Sequence, residues 1–276
     1  MTYTAILTHV QPEAEAAPRL VCAHAMAKRF GARLIGLGAE MIPPLAFDNG
    51  FYTLEAEWAT AMRDAISDRL KIAEKAFAAH TGGLPKQDVV WECGIQLPGP
   101  ALGAASRAAD LIVAGGVPHH SIDAYREVAP AELAISAGRP VLVAPPSAPP
   151  LEAKTVMVAW KDTREARRAL SDAMPFLKAA EAVHVVEVCE GGDADQAKIR
   201  TDDVARALRR HGAKATATVV THHPADGYQI LRQASHLGAD LIVLGCYGHS
   251  RIGEWVFGGV TRDLMSQTER YLLLSH

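Results

Sequence analysis

An α/β fold built twice is what this sequence predicts. Short apolar strands alternate with helical patterns along both halves, and alternating βα units imply a mainly parallel sheet covered by helices on both faces. A second observation is a recurrence: Asp110-Leu-Ile-Val-Ala-Gly-Gly returns as Asp240-Leu-Ile-Val-Leu-Gly-Cys, an offset of 240 − 110 = 130 residues. Carried forward without gaps, that offset pairs Gly115 with Gly245, His119 with His249, and Val141-Leu142-Val143 with Tyr271-Leu272-Leu273. A match held at fixed offset over this length points to duplication of one unit. The third observation is Pro145-Pro146-Ser-Ala-Pro-Pro150, which can neither pair in a sheet nor continue a helix and so marks the boundary. Two doubly wound domains are expected, at 1–147 and 152–276.

In the first half, strands are expected at 4–9, 33–39, 88–93, 110–115 and 140–144. A helical pattern runs from Ala16 to Phe30. A longer one, at about 54–80, places Leu54, Trp58, Met62, Ile66, Leu70 and Ala73 at three- or four-residue steps. The second half runs 155–160, 182–188, 214–221, 240–245 and 270–274, with helices at 164–180, 194–211, 226–238 and 260–267. Thr163 can cap the first of these helices, and Glu165 puts negative charge in its first turn. Val141-Leu142-Val143 and Leu272-Leu273-Leu274 are apolar edge strands that need a partner, which places a pseudo-two-fold axis between them.

Composition narrows the function classes. Apolar residues make up 49% of the 276, enough for a substantial core, and charged residues 21% with a net charge of -3. That balance disfavours binding nucleic acid through a basic face, and Arg206, Arg209 and Arg210 read as the solvated side of a helix. No run approaches the ~20 apolar residues that cross a bilayer. The start, MTYTAILTHV, lacks a basic leader and a small-residue cleavage site, so a cytoplasmic location is expected. Cys22, Cys93, Cys189 and Cys246 are scattered and read as free thiols. The adjacent pairs His119-His120 and His222-His223 have no Cys or carboxylate at ligand spacing, so no metal site is expected.

The chemistry-bearing segment is DLIVLGCYGHSRIGEWVFGGVTRDLM, from Asp240. Apolar Leu241 to Leu244 run into Gly245, Gly248 follows, and nine residues later come Gly258 and Gly259 before a helical pattern that starts at Val260. A buried strand that ends in glycines and hands over to a helix presents bare N–H groups to an anion, with glycine allowing close approach. His249, Arg251 and Arg262 add groups able to contact phosphate. The other reading is that the glycines only make tight turns. No G-x-S-x-G elbow and no GxxxxGK[ST] loop is present, so neither a serine hydrolase nor a P-loop ATPase is expected.

This G-x2-G-x9-G pattern resembles the nucleotide-binding loop of the universal stress protein family, and the two halves together look like a tandem member. The resemblance implies an adenine nucleotide α-hydrolase-like fold, with a five-stranded parallel sheet per repeat in the order 3-2-1-4-5. It further implies that the two repeats meet through their last strands. It implies ATP or ADP on Gly245, Gly248, His249, Gly258, Gly259 and the N–H groups of Val260 and Thr261, with Ala159, Trp160 and Lys161 at the purine end. Two departures stand out. Family members that bind ATP have Ser or Thr where Gly259 lies, and an aspartate after the first strand where Lys161 lies, with Asp162 one position late. Trp160 would either stack on adenine or fill the purine space.

The first half's version of the loop has lost its glycines: Pro118 stands for Gly248, Val128 and Ala129 for Gly258 and Gly259, and Asp123, Glu127 and Glu132 add negative charge. No nucleotide triphosphate is expected there. The leading expectation is a non-enzymatic cytoplasmic stress-response protein that senses an adenine nucleotide in its second half, any ATP hydrolysis being slow and incidental. The alternatives are a nucleotide-free module for an unknown protein partner and, less favoured, a small-molecule enzyme of the same superfamily. Pro43-Pro44-Leu45-Ala46-Phe47 with Phe51-Tyr52 would serve a homodimer contact or pack onto their own domain.

Overall fold

The computed structural model describes residues 2–13, 17–43, 52–116, 123–147, 149–222, 227–246, 264 and 269–276. The first repeat contributes β1 (Ala5–His9), α1 (Ala17–Phe30), β2 (Arg33–Glu40), α2 (Tyr52–Ala79), β3 (Val89–Ile95), α3 (Pro98–Ala105), β4 (Leu111–Gly115), α4 (Pro130–Ala137) and β5 (Val141–Ala144). The second contributes β6 (Thr155–Ala159), α5 (Arg164–Ala179), β7 (Ala182–Cys189), α6 (Ala194–Arg210), β8 (Ala215–Thr221), α7 (Gly227–His236), β9 (Leu241–Gly245) and β10 (Tyr271–Ser275). These strands make one sheet in the order β3-β2-β1-β4-β5-β10-β9-β6-β7-β8. Read from either edge inward, each repeat has the order 3-2-1-4-5, so two doubly wound α/β units share one sheet.

Among the described residues every pairing inside a repeat is parallel, and only the junction is antiparallel: Leu272 opposes Val143, Leu273 opposes Leu142, and Leu274 opposes Val141. All six are buried, so each repeat's apolar edge is covered by the other's. The rings of Phe30 and Phe176, one near the end of α1 and the other near the end of α5, lie 5.4 Å apart beside the junction. Tyr3 packs on both, at 5.0 and 5.6 Å.

Alternation along the strands sends side chains to two cores. Ile6, Val113, Leu142, Val158, Val185 and Leu273 face α1, α2, α5 and α6; Leu7, Ile112, Val143, Met157, Ile242 and Leu272 face α3, α4 and α7. The duplication extends to single hydrogen bonds. Asp110, ahead of β4, accepts from the N–H groups of Thr4 (2.7 Å) and Ala5 (3.1 Å) at the head of β1. Asp240 accepts from Lys154 (3.0 Å) and Thr155 (3.2 Å) at the head of β6 in the same way.

Two elements were not anticipated. α3 (PGPALGAA) and α4 (PAELAISA) are eight residues each, start on proline and have almost no charged residues to mark a polar face. The expected helix at 260–267 lies outside the described residues except at Leu264, which is helical and fully buried. The apolar segment 44–51 also lies outside them.

Candidate functional site

In a sheet of this order, ligands bind beyond the carboxyl ends of the first and fourth strands, where the chain's winding reverses. Each repeat has one such cleft, and the two are built differently.

In the second repeat β6 ends at Ala159, β9 ends at Gly245, and the N-terminus of α5 packs against both. Thr163 caps that helix, its hydroxyl accepting from the N–H of Ala166 at 3.2 Å. A Cβ on Gly245 would lie 2.5 Å from the nitrogen of Ala166 and 2.5 Å from the carbonyl carbon of Glu165. Gly245 is therefore required by the approach of a helix, a reason that its sequence context did not suggest. Cys246 is buried, its N–H bonded to the carbonyl of Ser275 at 2.8 Å, and burial pushes its thiol up to about 12, which suits a packing residue.

Trp160 is also buried, on the α5 and α6 side, with its backbone N–H donating to the Val186 carbonyl at 2.8 Å. The indole closes one end of a cavity of about 750 Å³ between those helices, and its Nε1 has no hydrogen-bond partner. Lys161 is exposed, and Asp162 pairs with Arg167. Glu165 is buried with Oε1 on Arg164 at 3.1 Å and Oε2 unpartnered. Burial acts to raise its pKa, but its own N–H, Thr163 and the Arg164 charge outweigh that and hold the carboxyl below its ordinary value. Gly248, His249, Gly258, Gly259, Val260 and Thr261 lie outside the described residues, as do Arg251 and Arg262.

In the first repeat the cleft holds a cavity of about 440 Å³. Its charged members come from three places: Arg19 in the first turn of α1, Glu13 in the β1–α1 connection, and Asp123, Arg126 and Glu127 before α4. The outer wall is tied together through Glu40, a buried carboxylate at the end of β2 that binds Arg126 at 2.8 Å and Arg69 of α2 at 2.9 Å. Arg69 also pairs with Glu13. Gln11 donates to the Arg126 carbonyl at 2.8 Å and accepts from Arg19 Nη2 at 2.6 Å. His9 is buried with Nε2 3.0 Å from the Ala39 carbonyl. Burial and the Arg19 charge pull its pKa down to about 3 against that hydrogen bond, so the ring is neutral.

Of the three acids that the sequence expectation placed against phosphate here, Asp123 and Glu127 line the cavity and Glu132 is exposed outside its lining. That expectation overlooked Arg19, His9, Gln11 and Glu40. A comparison of β1 with β6 and of α1 with α5 would have found the contrast, since His9 answers to Ala159. Among the described residues, the side chain beside Gly115 is that of Arg19, and the residues beside Gly245 are Glu165 and Ala166. Among the described residues no group of His, Cys, Asp and Glu is placed to hold a metal ion, and no helix is long and apolar enough to cross a membrane.

Comparison with known proteins bears on both repeats. Residues 152–274 match the model described as the Universal stress protein family. Among solved structures, a universal stress protein from Archaeoglobus fulgidus DSM 4304 superposes with a TM-score of 0.70 at 15% identity, over 98% of this chain and 95% of that one. A functionally unknown protein from Pseudomonas aeruginosa PAO1 gives 0.58 at 16%, over 99% and 92%. Both are similar in fold along the whole chain. A search of curated proteins found no match.

Proposed function

We propose, from the premise that residues 152–274 form a universal stress protein domain, that this chain is a non-catalytic stress-response protein whose second repeat binds ATP or ADP. The observation that carries the reading is the spacing Gly245-x2-Gly248-x9-Gly258, which begins where β9 leaves the sheet at the switch point. The ligand's phosphates would lie on Gly248, Gly258, Gly259 and the N–H groups of Val260 and Thr261, with His249 beside them. Gly245 would serve by letting α5 seat against the strand end. Ala159 and Lys161 would border the purine. We take 1–147 and 152–276 as the two domains, the first with a degenerate loop, and the cytoplasm as the compartment.

Denaturing the purified protein and chromatographing what it releases tests occupancy, and calorimetric titration with ATP then tests stoichiometry. One site per chain is expected, and Gly258→Val should abolish it without unfolding the protein. Two equivalent sites, or binding unchanged in Gly258→Val, would show that the glycine loop has been misread. No binding at all would favour the interaction-module reading, for which Lys161 in place of an acid and Gly259 in place of a hydroxyl residue are the supporting observations.

A further inference from the structure

We infer that the cleft of the first repeat is a separate binding site for a small zwitterion of the α-amino-acid class. Two opposite charges border the same 440 Å³ cavity without satisfying each other. Arg19 has Nη2 on Gln11, while its Nε is buried with no acceptor among the described residues. The Glu127 carboxylate has no hydrogen bond or ion pair among the described residues, although each group lies within the other's field. Burial draws Arg19 down to about 10 and, more weakly, raises the half-buried Glu127, as expected of charges partly withdrawn from water without a close ion partner.

A ligand with a carboxylate for Arg19 and an ammonium for Glu127 supplies what each lacks. Asp123 and Glu13 reinforce the cationic end and repel polyanions, which sets this cleft apart from a phosphate site. Leu102, Ile112, Val128 and Leu133 offer an apolar wall for the ligand's side chain. The walls are fixed beforehand: Glu40 ties Arg126 to Arg69, so the segment carrying Glu127 is held without the ligand. The second repeat cannot copy the site, because the register that sets Ile6 on Val156 sets Arg19 on Ala169, which carries no charge.

The inference is independent of nucleotide binding. The full chain would be screened by thermal shift against the standard α-amino acids at millimolar concentration. The best binder would then be compared by calorimetry with its deaminated acid and its decarboxylated amine. Each analogue should bind about tenfold or more weakly, the loss expected for one charge-assisted bond. Arg19→Gln should weaken the amino acid similarly and leave the amine unchanged; Glu127→Gln should do the reverse, sparing the acid. Gly258→Val should bind the amino acid as before, which separates this site from the nucleotide loop. No shift with any amino acid, or an acid or amine that binds as tightly as the parent, would overturn the inference, as would binding that survives both substitutions.

Discussion

At the carboxyl ends of its first and fourth strands, each repeat brings a helix N-terminus against a glycine, and the two use that contact differently. In the second repeat the backbone of α5 comes so close that Gly245 has no room for a methyl group. In the first, the described atoms that a Cβ on Gly115 would meet belong to the long side chain of Arg19, whose Nη1 would lie 3.4 Å away. Among the described residues, the fourth-strand glycine thus borders a closed seam in one copy and a charged cavity in the other. Duplication keeps the strand order and the aspartate clamps at Asp110 and Asp240, while the cleft chemistry is free to diverge.

The sharpest way to break this comparison is to add the same methyl group to both repeats. Gly245→Ala puts Cβ against backbone atoms that cannot yield singly, and should cost about 3 kcal/mol. Gly115→Ala meets a flexible guanidinium and should stay within about 1 kcal/mol. Urea unfolding of the two variants checks this, and equal losses would show that α1 and α5 seat alike.

Acid should next distinguish the repeats. His9 has a folded pKa of about 3 against 6.5 when free, so between these values the unfolded chain binds the extra proton. Stability from this residue is complete above pH 6.5 and is lost as pH falls toward 3, with a slope of up to about 1.4 kcal/mol per pH unit. Ala159 brings no such dependence to the second repeat. His9→Gln should flatten the acid side of the stability curve, measured by denaturant unfolding across that window. An unchanged slope would mean that His9 is not held neutral.

The smallest expected effect is at the cap of α5. Thr163→Ala removes the acceptor for the Ala166 N–H and should cost about 1 kcal/mol. A loss much beyond that, seen in the same unfolding assay, would mean that the cap also fixes the seam at Gly245.

The fold was largely legible because its signals are local. Apolar runs such as Leu241 to Leu244 announce buried strands, and the repeated Asp-Leu-Ile-Val announces the duplication. α3 and α4 were not legible, since eight mostly small or apolar residues show no 3.6-residue period. The clefts were legible in place but not in content. Nothing near Gly245 in sequence says that residues 165 and 166 will press on it, and nothing near Arg19 says that Glu127 faces the same cavity. Such pairings come from the sheet, which brings together residues about a hundred positions apart. Trp160 shows the same limit, because alternation along β6 and not its neighbours decides that it turns toward α6.

The antiparallel pairing of β5 with β10 also dictates an order of events during synthesis. β5 is made early, yet the strand that covers it is the last of the ten to leave the ribosome. Until then Val141, Leu142 and Val143 offer an open apolar edge to any passing chain. A half-made molecule is thus a hazard that one with all ten strands is not, and β10, the last of these ten to be made, is the bolt that closes the sheet's centre.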